Sequence, residues 1–217
     1  MKKIILILAA LAITLSVNAQ TKFGIKAGLN VSQFGGGTVN GEEASENFDA
    51  SGMLIGFHAG GYVNFSFGSV IGLQPEVVFS LQGGKESAEE GGETSKTSLG
   101  FVNVPILLDI KPVPNLSILV GPQVGINVTK SMSIGDYSVS GSELATYLEE
   151  SAMKINTIDI AAVLGVQYTI IGHLTLGARY NFGFTPAIGL IKEAKDAGLS
   201  ITGGGNRVIQ VSVGWSF

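Results

Sequence analysis

The sequence predicts an all-β fold: an eight-stranded antiparallel up-and-down transmembrane β-barrel with short periplasmic turns and long extracellular loops. Three observations carry this. The chain closes on an alternating strand that ends in an aromatic residue, eight segments share the alternation, and the connections between them alternate short with long. Side chains of a strand point to opposite faces at each step, so a period of two separates an apolar face from a polar one. In a lipid-embedded barrel the apolar face meets lipid and the polar face lines the lumen.

The first residues stand outside that fold. MKKIILILAALAITLSVNAQ carries Lys2 and Lys3, then an apolar run from Ile4 to Leu15, then Val17-Asn18-Ala19 before Gln20. That order is a signal peptide with a small-residue cleavage site, and the run is shorter than the ~18–20 residues a spanning helix needs. Residues 1–19 are expected to be removed and residues 20–217 to form the barrel domain.

The first strand is expected at roughly 23–34, with Phe23, Ile25, Ala27, Leu29 and Val31 opposite Gly24, Lys26, Gly28, Asn30 and Ser32. The second, roughly 51–65, sets Ile55, Phe57, Ala59, Val63 and Phe65 against Gly56, His58, Gly60, Tyr62 and Asn64. The third, roughly 69–82, sets Ile71, Leu73, Val77, Phe79 and Leu81 against Gly72, Gln74, Glu76, Val78 and Ser80. In the fourth, roughly 97–110, Val102, Val104, Ile106, Leu108 and Ile110 oppose Phe101, Asn103 and Asp109. The fifth, roughly 116–128, sets Leu116, Ile118, Val120, Val124 and Ile126 against Ser117, Gly121, Gln123, Gly125 and Asn127. The sixth, roughly 156–170, sets Ile158, Ile160, Ala162, Leu164, Val166 and Tyr168 against Thr157, Asp159, Gly165 and Gln167. The seventh, roughly 173–184, sets Leu174, Leu176, Ala178, Tyr180 and Phe182 against Thr175, Gly177, Arg179, Asn181 and Gly183. The eighth, roughly 206–217, alternates Ile209, Val211, Val213, Trp215 and Phe217 with Gln210, Ser212, Gly214 and Ser216. Each segment meets the ~9–11 residues a tilted strand needs to cross a bilayer.

Short turns are expected at Ser66-Phe67-Gly68, at Lys111 to Asn115 and at Ile171-Gly172, with long polar stretches in the other connections. An even strand count with this alternation puts both termini on the periplasmic side. A soluble barrel would carry apolar residues inside and charges outside, whereas the apolar faces here are almost free of charge. Pro75, Pro105 and Pro122 fall within strands three to five. Each removes a ladder donor, so bulges or distorted pairing are expected there.

Composition agrees. Glycine makes up 31 of 217 residues, roughly twice the usual share, and only 14% are charged. The absence of cysteine excludes disulfides, thiol catalysis and thiolate metal sites. Net charge is −4, or −6 once Lys2 and Lys3 leave, which argues against nucleic acid as a partner.

FGIKAGLNVSQF at 23–34, LQPEVVFS at 73–80, FVNVPILLDI at 101–110 and the closing strand, in that order, resemble the PorT-like outer-membrane β-barrel family common in Bacteroidetes, the "porin family protein" group. The resemblance spans roughly 21–217. It implies an outer-membrane barrel, usually of eight strands, with no shared catalytic residues. The secretion and gliding role of the family's namesake is not carried over, since no residue here marks it.

The expected lumen polar network contains Lys26, His58, Glu76, Asp109, Asp159 and Arg179. Buried charges must pair or reach water, and one or both of the pairs Arg179 with Glu76 and Lys26 with Asp109 are expected to form a structural plug. Phe23, Phe65, Tyr168, Trp215 and Phe217 fall at the periplasmic strand ends, where an aromatic girdle and the signal read by the barrel-assembly machinery belong. Loop carboxylates Glu42, Glu43, Glu46 and Asp49, then Glu86, Glu89, Glu90 and Glu93, lack Ca²⁺-loop spacing and are read as solvated. Ser140-Gly141-Ser142-Glu143 followed by Leu144, Tyr147 and Leu148, and Ile188 to Gly198, suggest two short helices over the mouth. His58, with Ser80 across the strand, is the one lumenal base for an enzyme, and a hydrogen-bonded interior histidine is the simpler reading. The expected protein is therefore a non-enzymatic, cofactor-free, monomeric outer-membrane barrel without a metal site. Its extracellular loops would bind a partner, lipopolysaccharide or another extracellular ligand. The alternative is a narrow small-solute or ion channel, and the third reading is an outer-membrane lipid-modifying enzyme.

Overall fold

The computed structural model describes residues 20–35, 37–39, 42–43, 52–86, 95–134, 137–140, 153–186, 188–190, 201–203 and 205–217. Its strands are β1 (Gln20–Phe34), β2 (Gly37–Val39), β3 (Glu42–Glu43), β4 (Leu54–Phe67), β5 (Ile71–Glu86), β6 (Ser95–Val113), β7 (Leu116–Ile134), β8 (Tyr137–Ser140), β9 (Met153–Ile155), β10 (Ile158–Ile171), β11 (Leu174–Pro186), β12 (Ile188–Leu190), β13 (Ile201–Gly203) and β14 (Gly205–Ser216). Eight of them form the wall in the order β1-β4-β5-β6-β7-β10-β11-β14, and the antiparallel β14–β1 and β7–β10 pairings close it. A closed ring leaves no open edge in the wall, so backbone donors and acceptors are satisfied strand to strand where lipid cannot satisfy them.

Three tight turns gather at one end, here the turn end. Gly68 (φ 78°) follows β4, Asn115 (φ 68°) joins β6 to β7, and Gly172 (φ 54°) joins β10 to β11. Glycine occupies left-handed space freely and asparagine tolerates it, which is why these residue types stand there. Pairing continues closer to the turns than the sequence reading placed it, through Phe67↔Ile71, Val113↔Leu116 and Ile171↔Leu174.

Burial is inverted relative to a water-soluble protein. Ile55 is 72% exposed and Val211 60%, while Asn30 and Glu76 are at 0% and 2%. One-residue alternation puts these on opposite faces of the same wall, as a lipid-facing exterior requires.

The three prolines distort the pairing without adding a bulge. Val63 lacks its pairing with Pro75, Glu76 lacks Pro105, and Ile106 lacks Pro122, yet the register continues unchanged past each gap. The bulges fall elsewhere, at Gly100/Phe101, Ile110/Val113, Thr169/Ile171 and Phe182/Pro186. A proline deletes a donor without adding a residue, so the ladder skips a rung and the count is preserved. The gaps follow one another across β4 to β7 as a diagonal seam. Amides bordering it, Val104 and Leu107 among them, are expected to exchange faster than those of Val31 and Val211 in the unbroken β14-β1-β4 ladder. Hydrogen–deuterium exchange on the refolded barrel checks this, and equal protection in both regions would show that the seam remains hydrogen-bonded.

At the other, loop end, β5, β6 and β7 run beyond the wall and β8 folds back on β7. Two small sheets lie outside the wall sheet, β2 with β3 and β13, and β9 with β12. Ile188, Gly189 and Leu190, expected to open a helix, instead pair with Ile155, Lys154 and Met153. Isoleucine and leucine suit a strand as readily as a short helix, and the pairing partner decided it. Ser140 is the last residue of β8. Residues 1–19, the rest of the two expected loop helices, and Glu46, Asp49, Glu89, Glu90 and Glu93 lie outside the described residues.

Candidate functional site

The lumen is filled by side chains in distinct zones. Its centre is the Glu76 carboxylate on β5. Arg179 on β11 donates to it bidentately, Nη1 to Oε2 and Nη2 to Oε1, both at 2.7 Å. Lys26 on β1 donates to Oε2, and Gln74 Nε2 to Oε1 at 2.8 Å. β5 and β11 are four strands apart either way round the ring, so the Arg179–Glu76 bridge crosses the lumen. Gly165 makes space for it: a Cβ there would lie 2.5 Å from Arg179 Cγ. A bidentate guanidinium–carboxylate pair combines strength with fixed geometry.

Lys26 does not pair with Asp109. The hydrogen-bonding row of Lys26 runs through Gly60 and Val78 to Asn103 on β6. The Asn103-to-Asp109 separation is about 20 Å of strand. Counting from strand ends placed both residues near the turn end, but β6 spans 19 residues and β1 15, so equal counts are not equal depths.

Asp109 belongs to a second zone at the turn end. Lys111 Nζ lies 3.2 Å from its Oδ2, and Asn64 Nδ2 donates to the same oxygen at 2.7 Å. Asn64 also donates to Gln74 Oε1, Ser66 Oγ donates to Asn64 Oδ1, and Lys111 donates to Ser66 Oγ at 2.7 Å. Gln74 links this zone to Glu76, so one continuous network runs from the turn end to mid-lumen. Lys111, assigned to a turn by sequence, is one of its cations.

Nearer the loop end the organising residue is Asn30. Its Nδ2 faces Ser80 Oγ (2.8 Å) and the carbonyls of Phe57 and Leu81 (3.0 Å each), which fixes Oδ1 as the acceptor. His58 Nδ1 therefore donates to Asn30 Oδ1 (2.7 Å), and Gln210 Nε2 donates there too. His58 and Ser80 sit opposite each other in register, but Ser80 Oγ accepts from Asn30 and Gln82. Among the described residues no hydrogen bond joins His58 to Ser80, so the two do not form the base–nucleophile pair that acyl chemistry needs.

The rest of the filling is apolar. Leu107, Leu119 and Val163 form one buried cluster. Leu99, Phe101 and Ile155 form another toward the loop end, with Phe34 and Met132 against it. Leu107, Leu119 and Val163 share the inward parity of Asp109, Gly121 and Asp159, which is the signal that would have found them in the sequence. Asp159 is buried and forms no ion pair among the described residues.

Of the expected aromatics, Phe23, Tyr168, Trp215 and Phe217 are exposed and Phe65 is half-buried. Phe217 N donates to Phe23 O at 2.7 Å, tying the chain end to β1. Trp215 stacks on His173, whose Nδ1 donates to Ser216 O. A further group was missed at the loop end, where Phe182 packs edge-on to Phe184 and the Arg207 guanidinium lies 4.8 Å over the Phe182 ring.

A family model described as "Outer membrane protein beta-barrel domain" matches residues 18–189. No curated protein matches the chain by sequence. Among solved structures, the chain is similar to Ail, the attachment invasion locus protein of Yersinia pestis, in complex with the heparin analogue sucrose octasulfate (13% identity, 91% of this chain and 99% of that one, TM-score 0.46). It is also similar to a major outer membrane protein from Thermus thermophilus (11%, 91% and 100%, TM-score 0.49) and to the outer membrane protein OprG from Pseudomonas aeruginosa (13%, 92% and 97%, TM-score 0.44). Identities of this size carry no ligand or partner over to this chain.

Proposed function

Since this chain belongs to the outer membrane protein beta-barrel domain family, we propose that it works in the outer membrane as a closed scaffold: a structural or surface-binding barrel that presents its loop end to a partner, lipopolysaccharide or another extracellular ligand, and does not conduct. The observation that carries this reading is the buried Glu76 carboxylate held by both Lys26 and Arg179. A small lumen crossed by a bidentate ion pair and packed with apolar side chains on its other wall supports a plug. The same reading takes residues 1–19 as a cleaved signal peptide, places both termini in the periplasm, and treats the barrel as a monomer. It assigns Phe23, Phe65, Tyr168, Trp215 and Phe217 to the interfacial girdle, with Phe217 presented to the barrel-assembly machinery. The PorT-like group is the proposed subfamily. The proposal is non-enzymatic, and the His58–Asn30 hydrogen bond supports a structural histidine.

Planar-bilayer recording of the purified wild-type barrel tests the closed lumen. No reproducible single-channel steps are expected. Steps from the wild type that Arg179→Ala abolishes would establish the narrow channel instead. A pulldown with the loops intact and then deleted tests the binding role: capture of a ligand that survives loop deletion sinks the surface-binding reading.

A further inference from the structure

Polar side chains stand between the two apolar clusters of the lumen. On β6, Asn103 lies in sequence between Phe101 of the loop-end cluster and Leu107 of the central one; Asp159 on β10 lies in sequence between Ile155 and Val163 of the same two clusters. Asn103, Gly125 and Asp159 occupy one register row across β6, β7 and β10, and Asn127 is the next inward residue of β7 toward the loop end. Gly125 gives the Asn103 side chain its room in that row: a Cβ there would meet Asn103 Oδ1 and lie 3.4 Å from Asp159 Cβ and 3.5 Å from Phe101 Cδ1. The Asn103 oxygen therefore lies over Gly125, beside the aspartate.

Among the described residues, Asn103 Oδ1 and both side-chain polar atoms of Asn127 find no hydrogen-bond partner, at 2% and 7% exposure. Asp159, also 7% exposed, forms no ion pair among them. Among the described residues, Lys26 and Arg179 are both engaged by Glu76 and Lys111 by Asp109, while the half-buried Lys130 donates to the Ile155 carbonyl at 3.5 Å. Buried polar atoms are normally satisfied, and a buried carboxylate without a counter-charge is costly.

We propose that this part of the lumen binds one hard monovalent cation of sodium size, held by the Asp159 carboxylate and the Asn103 and Asn127 side-chain oxygens. An all-oxygen donor set selects hard cations over soft ones. A single carboxylate is neutralised by a single positive charge, which favours sodium over calcium. The site is separate from the Glu76 plug, so it holds whether or not the lumen conducts.

The test uses the full mature barrel refolded in detergent micelles. Its unfolding midpoint is compared in sodium chloride and in choline chloride at equal ionic strength, and ²³Na line broadening is recorded on the same samples. At sodium ten times the dissociation constant, the folding equilibrium is expected to favour the native state about tenfold more than in choline. Asp159→Asn removes both signals, Asn103→Ala weakens both, and Lys85→Gln on the exposed surface leaves both in place. If Asp159→Asn does not refold, the wild-type broadening and its reduction in Asn103→Ala decide the matter. Equal midpoints in the two salts without broadening overturn the proposal, as does a sodium effect that persists in Asp159→Asn. Stabilisation by calcium with none by sodium overturns the monovalent assignment.

Discussion

Glu76→Ala is expected to lower the unfolding free energy of the barrel by about 3–5 kcal/mol, the cost of leaving a buried charge without its counter-charge. The figure belongs to the upper part of that range because one carboxylate serves two cations. Its removal strands Lys26 and Arg179 together, both at 6% exposure, facing each other across a space that no longer holds a negative group. Gln74 Nε2 loses its acceptor as well. Arg179→Met is the milder change, since Lys26 then remains paired with Glu76. Replacing Lys26, Glu76 and Arg179 together by apolar residues of matching volume is expected to cost little or to stabilise, because the desolvation penalty disappears with the charges. Equilibrium denaturation in detergent micelles or lipid vesicles measures all three. The comparison separates specificity from stability: if the apolar triple variant loses as much as Glu76→Ala, packing and not charge pairing is what the centre of the lumen requires. A Glu76→Ala loss below about 1 kcal/mol would mean that water reaches the triad, as at an exposed pair.

That centre was half legible in the sequence. Alternation alone puts Glu76 and Arg179 on inward faces, and their position near mid-strand on β5 and β11 suffices because a bidentate bridge tolerates small errors in depth. Lys26 and Asp109 failed the same reasoning, since depth in a barrel depends on the stagger between strands, which the sequence of one strand does not contain. Lys111 was lost to a turn because Pro112 and Pro114 beside it are turn residues by habit, while the strand continues to Val113. Leu107, Leu119 and Val163 were hidden for another reason. They are apolar residues on a face expected to be polar, and in a lipid-facing barrel only parity tells an inward leucine from an outward one. Of the two outcomes a strand proline allows, bulge or distorted pairing, all three positions take the second, because a missing hydrogen bond and an extra residue are different defects. Ile188 to Leu190 shows the limit of a three-residue pattern, which is settled by its partner strand and not by itself.

Leu164→Lys, made at a lipid-facing position, is expected to destabilise the vesicle-inserted barrel by about 2–4 kcal/mol, the midplane cost of a cation on the lipid face. Leu164 is 58% exposed, sits near the middle of β10 and pairs with Val120 and Tyr180, so it lies deep within the outward apolar band. Ile158, 56% exposed at the loop-end start of the same strand, lies near the band's edge. There the same substitution is expected to cost about 0–1 kcal/mol, because the ammonium reaches headgroups and water. The contrast between the two, measured by reversible unfolding from lipid vesicles, reads membrane depth directly. In a water-soluble barrel both positions would be ordinary surface sites, and a lysine at either would shift stability within about 0.5 kcal/mol. A Leu164→Lys variant as stable as wild type would therefore remove bilayer residence itself, and with it the explanation for why Ile55 and Val211 face outward while Asn30 and Glu76 face in. The adjacent inward residue gives the internal control. Val163 is 1% exposed in the Leu107–Leu119 cluster, and Val163→Lys puts an unpaired charge into packed apolar surroundings, whatever solvent surrounds the barrel. Its penalty is expected to be the same in vesicles and in micelles, whereas the Leu164→Lys penalty varies with bilayer thickness.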